Sequence, residues 1–113
     1  MKYLITESQF DKVIFKYLDN QDFIVTGNDT SLFFINSESD ELAQIRYDED
    51  SELCYINIDL NKEISSFFNL GRDESQRVIS RWVENTLKMK VTKTTDAYMN
   101  IDKWLRIPNK SYL

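Results

Sequence analysis

The chain has 113 residues, a net charge of -5 at neutral pH and 42% hydrophobic residues, with no histidine, one cysteine (Cys54), two glycines and one proline. Its length predicts one domain over 1–113 and its apolar content predicts one core, which argues against a disordered chain. Histidine is the usual general base and the commonest metal ligand, and glycine-rich loops are the usual phosphate cradles, so most familiar catalytic constellations are excluded.

The N-terminus carries a helix-start signal. Thr6-Glu7-Ser8-Gln9 fits a capping box, and Ile5 and Phe10 stand at the spacing of a hydrophobic staple. Phe10, Val13, Ile14, Tyr17 and Leu18 then recur at helical spacing, predicting a helix over 7–20. Short β-branched and aromatic runs follow at Phe23–Val25, Leu32–Ile35, Leu42–Tyr47 and Leu53–Ile58. Turn residues separate them at 26–29, 38–40 and 48–51. This spacing predicts an antiparallel meander of three or four strands.

The last third turns helical. Leu60 to Asn69 predicts one helix, with Gly71 as the glycine that ends it. Asp73 is placed to cap the next, running to about Lys90. There Val78, Ile79, Trp82 and Val83 share one face, and Glu74, Arg77, Arg81, Glu84 and Lys88 the other. Residues 91–95 fit a strand or a loop. Ala97, Tyr98, Ile101, Trp104 and Leu105 fit a final helix ended by Pro108, although the stretch also alternates as a strand. The expected architecture is α+β: an N-terminal helix, the meander, then two to three C-terminal helices packed on one sheet face.

Few residues suggest chemistry. Cys54 lies in an apolar run and reads as a small buried hydrophobe. The acidic turn Asp48, Glu49, Asp50 and Glu52 lacks the glycine and distal glutamate of a calcium loop. Asp59, Asp96 and Asp102 are the acids a metal-dependent hydrolase would draw on, but nothing in the sequence brings them together. No catalytic residue, metal ligand or cofactor is expected, and the chain reads as a non-enzyme.

Two binding readings remain. Tyr98, Trp104, Leu105 and Arg106 combine the residue types enriched at interface hot spots and form the expected partner-binding segment. The alternative is nucleic-acid binding through Arg72, Arg77, Arg81, Lys88 and Lys90. It draws on a charge asymmetry: residues 1–60 hold 4 basic and 13 acidic side chains, residues 61–113 hold 10 and 6. A helix-turn-helix comparison around Gly71 fits poorly, because Arg72, Arg77 and Ser80 fall where apolar packing residues belong. Glu74 before Arg77 and Glu84 before Lys88 instead read as helix-surface ion pairs.

Tyr3-Leu4-Ile5-Thr6-Glu7-Ser8-Gln9, Ile64 to Leu70, Asp73 to Ile79 with Trp82-Val83-Glu84, and Trp104-Leu105 resemble a group of short uncharacterised proteins of marine tailed bacteriophages. The matches cover about a third of the chain, and residues 21–58 have none. The resemblance implies a phage or phage-like origin and carries no assigned activity, so no functional residue transfers. Together these readings give a phage-type accessory protein of the host cytoplasm or the virion. It would act by protein–protein interaction, with a host factor or with itself, and without a membrane.

Overall fold

A computed structural model describes residues 7–27, 29–37 and 42–99. The order is α1 (Glu7–Asp19), β1 (Ile24–Gly27), β2 (Ser31–Ile35), β3 (Ile45–Asp48), β4 (Leu53–Asn57), α2 (Ile58–Phe67), α3 (Arg72–Leu87) and β5 (Lys93–Ala97). The strands form one sheet in the order β1-β2-β3-β4-β5. The first four pair antiparallel, as short turns between consecutive strands require. β5 pairs parallel with β4, because the chain returns through α2 and α3 before entering it.

The expected α+β class holds, but the sheet is larger than the three or four strands expected and is partly parallel. Residues 93–97 (Lys-Thr-Thr-Asp-Ala) carry almost no apolar signal, and pairing with β4 gives them their place. The final helix expected from Ala97 is corrected at its start, since Ala97 closes β5. Most of that stretch, with Trp104, Leu105 and Arg106, lies outside the described residues. So do the Thr6 capping box and the turn at 38–40.

All three helices pack on one sheet face. Ile14 and Leu18 of α1, Leu60 and Ile64 of α2, and Val78, Ile79, Trp82 and Val83 of α3 meet Val25, Leu32, Phe34, Ile45, Tyr47, Cys54 and Ile56. The alternation of side chains along each strand sends this set to the helices. Phe33, Ile35, Ala43 and Met99 form a smaller buried cluster on the other face. There Arg46 lies over the rings of Phe33 and Tyr55, its neighbours in register on β2 and β4. Its Nε donates to Asp48 Oδ1 at 2.8 Å.

The helix ends differ from expectation in one instructive way. Asn69, not Gly71, takes the left-handed conformation after α2, with φ 55°. The N–H of Leu70 reaches Ser65 O at 2.8 Å and that of Asn69 reaches Ser66 O at 3.4 Å, a Schellman pattern. Asparagine tolerates this conformation better than most residues. Gly71, at φ -71°, becomes the N-cap of α3, so the cap expected at Asp73 falls two residues earlier.

Cys54 is fully buried, as expected, and burial pushes its thiol up to about 12. The native protein should therefore resist thiol reagents at pH 8, with modification following the unfolding rate in a denaturant series. The unfolded thiol ionises first, so stability falls as pH rises from about 9 towards 12.

Candidate functional site

The most exposed large aromatic side chain among the described residues is Phe67, at 67%. It sits at the end of α2, where the neighbouring positions 67 and 68 point about 100° apart, and here only Phe68 turns inward. Phe68 turns towards α1. Its ring meets Phe10 edge-on at 6.3 Å and Tyr17 edge-on at 5.4 Å. Phe67 stays outside, stacked on Tyr17 at 5.2 Å and 27°. Val13, four residues before Tyr17 and 56% exposed, extends this aromatic ledge along α1.

Carboxylates border the ledge along α2. Asp59, Glu63 and Phe67 follow one another at i, i+4 and i+8, and all three are exposed. Tyr17 donates its phenolic hydrogen to Glu63 Oε2 at 2.6 Å, and Tyr98 donates to Asp59 Oδ1 at 3.0 Å. Each bond holds the phenol's proton more tightly, so both tyrosines titrate above their ordinary value. Tyr98, the one expected partner-binding residue that is described, is 57% exposed at the far end of this stripe.

A second constellation lies on the other flank of α2. Asp96 stands in register with Ile56, on the helix-facing side of β5, and 4% of its side chain is exposed. Arg72 grips it with two hydrogen bonds, Nε to Oδ2 at 2.9 Å and Nη2 to Oδ1 at 2.5 Å. Asn61 Nδ2 adds a contact to Oδ2 at 3.4 Å. The Arg72 hydrogen bond is the main cause holding the Asp96 carboxyl below its ordinary range, against desolvation. These residues line a cleft of about 240 Å³ with Ile58, Lys62 and Ser65. Ser65 Oγ donates to Leu70 O at 2.6 Å, so its proton is committed to the helix end. The cluster ties β5 to the first turn of α3.

The lowered Asp96 carboxyl makes stability depend on pH. Its contribution to stability is present above the unfolded carboxyl's value and is lost as pH falls through the lower folded value. Asp96→Asn should lower the melting temperature at neutral pH. It should also flatten the loss of stability below about pH 4, read from thermal melts at pH 2–7.

The five basic residues of the nucleic-acid alternative do not form one free cationic face. Arg72 serves Asp96. Arg77 reaches Glu74 Oε2 at 2.5 Å, and Arg81 donates to Asp11 Oδ2 at 2.9 Å. Asp11, on α1, is 6% exposed, so this bond joins α1 to α3. The Glu74–Arg77 pair matches the expected spacing. Glu84, expected to serve Lys88, instead accepts the Val91 N–H at 2.8 Å. Lys88 itself holds the left-handed position that ends α3, and Lys90 offers its backbone oxygen to the Tyr47 hydroxyl at 2.6 Å. An open groove of about 500 Å³ between α1 and α3 is lined by Asp11, Lys12, Phe15, Arg81, Asn85 and Lys88, among others.

Sequence reasoning missed the ledge. The adjacent Phe67-Phe68 pair at the end of the expected helix was its one signal. Among the described residues, no group of three or more cysteines or acids is placed to hold a metal ion. No helix among them is long and apolar enough to cross a membrane.

Compared with protein-family models, with curated proteins and with solved structures, the chain matches none.

Proposed function

We propose that this chain is a non-enzymatic accessory protein of phage type that acts by protein–protein interaction. The observation that carries this reading is the Tyr17–Phe67 ledge. A phenylalanine two-thirds exposed and stacked on a neighbour's ring loses little conformational freedom when a partner covers it. Aromatic residues of this kind concentrate binding energy at interfaces. The side-chain chemistry points the same way: the described acids near the clefts are engaged in structural bonds, and Cys54 is sealed in the core.

The nucleic-acid alternative loses support from the pairing of Arg72, Arg77 and Arg81 with carboxylates. Each pair neutralises charge that a phosphate would otherwise meet.

A capture experiment from nuclease-treated lysate, run with the wild type and with Phe67→Ser, tests the proposal. A protein retained by the wild type after nuclease and lost with Phe67→Ser is the expected result. Recovery that disappears on nuclease treatment, or that ignores Phe67→Ser, would overturn it. Phe67→Ser should lower the melting temperature by only a few degrees, because the ring is two-thirds exposed and loses little beyond its stacking on Tyr17.

A further inference from the structure

We infer that the ledge receives a basic segment of its partner, one carrying arginine or lysine among apolar residues. This deepens the interaction reading and rests on it. Charge complementarity at short range points to this occupant. Glu63 lies one helical turn from Phe67, and Asp59 one turn further along the same stripe. An arginine from a partner meets an aromatic face and a carboxylate within one turn. Its planar guanidinium stacks on the ring while its fork bonds the carboxylate. The phenols of Tyr17 and Tyr98 already occupy one acceptor site on each carboxylate, which orients it. Each carboxylate keeps further lone pairs for a second donor. Val13 and the exposed ring of Phe67 cover the apolar stem of such a side chain or an adjacent leucine.

The acidic side of the ledge is the α2 side, since exposed Lys16 stands beside Tyr17 on α1. Lys62, the cation nearest in sequence, turns to the opposite flank, where it lines the Asp96 cleft with Ser65 and Arg72. The net charge of -5 favours encounter with cationic partners and disfavours nucleic acid. Two carboxylates spaced by one turn match two cations spaced by one turn on a partner helix.

The test uses the full chain and a fluorescein-labelled helical peptide with arginines at i, i+4 and i+8 interleaved with leucines. A matched peptide carries citrulline, isosteric and uncharged, in place of arginine. Binding is read by fluorescence anisotropy. Wild type should bind the arginine peptide about tenfold more tightly than the citrulline peptide, and Phe67→Ser and Glu63→Gln should each weaken it by about tenfold. Glu63→Gln keeps an acceptor for Tyr17, so its loss reports charge rather than fold. Undiminished binding to Phe67→Ser would reveal generic attraction to an acidic protein and overturn the inference. Equal affinity for the citrulline peptide would overturn it in favour of a purely apolar occupant. Self-association in sedimentation that Phe67→Ser abolishes and the arginine peptide fails to displace would overturn it in favour of a second copy of the chain. The interaction reading is separately exposed in the capture experiment. A partner lost with Phe67→Ser, alongside a peptide that does not bind, removes the basic chemistry and leaves the surface.

Discussion

Trp82→Ala should cost about 3–5 kcal/mol, the largest loss expected from any single substitution in the described core. Trp82 is 4% exposed and sits where α1, the sheet and α3 converge. Its ring meets Phe34 at 5.3 Å and Phe23 at 5.9 Å. Its indole N–H donates to Asp19 Oδ1 at 2.9 Å, tying α3 to the last turn of α1. Truncation therefore opens a cavity between layers and leaves Asp19 without this donor. In a domain of this size the melting temperature should fall by roughly 15–25 °C. Trp82→Phe separates the two contributions: it keeps most of the packing and loses the hydrogen bond, at about 1–2 kcal/mol. Urea melts of the three proteins measure both, and a Trp82→Ala loss below 1 kcal/mol would show that the layers do not converge there.

Gly27→Ala should destabilise by about 1–3 kcal/mol, although alanine is a small and chemically mild replacement. The reason is a close approach rather than an unusual backbone angle. A Cβ at Gly27 would stand 2.3 Å from Ser31 O, 3.0 Å from Leu32 Cδ2 and 3.2 Å from Leu32 Cα. The first of these is a backbone atom held in the β1–β2 hairpin, where Gly27 pairs with Leu32, so neither side yields without moving a strand. Gly71 supplies the contrast. A Cβ there meets nothing within 4 Å. It caps α3 without a side-chain hydrogen bond. Gly71→Ser adds a capping hydroxyl and should be neutral or stabilising by a few tenths of a kcal/mol. Thermal melts of the two variants should therefore move apart.

The helices were legible because their faces are clean. Ile14 and Leu18 in α1, and Val78, Ile79, Trp82 and Val83 in α3, recur at helical spacing and are buried together. The first four strands were legible from β-branched runs and turn residues. β5 was legible only as one of two readings, a strand or a loop over 91–95, because Lys93-Thr94-Thr95-Asp96-Ala97 is an edge strand with a polar sequence whose position depends on the crossover that precedes it. Its threonines were the only local hint, and helical spacing across Ala97 and Tyr98 competed with it.

The ends of α2 and α3 show why capping is hard to read locally. Gly71 has the freedom to end α2, but Asn69 does so two residues earlier and leaves Gly71 to begin α3. The candidate surface was legible only in fragments. Glu63 and Phe67 are one turn apart within the expected helix, whereas Asp59 stood before its expected start at Leu60 and joins the stripe because α2 begins at Ile58. Their meeting with Tyr17 and Tyr98, which lie 46 and 39 residues from their carboxylate partners, is a product of the fold.

A photoreactive benzoylphenylalanine placed at position 67, and separately at exposed Asp50 in the β3–β4 turn, shows whether the ledge is where a partner sits. The comparison is made in nuclease-treated lysate. A discrete protein adduct from position 67 and none from position 50 is the expected result. The same adducts from both positions, or none from position 67, would contradict it.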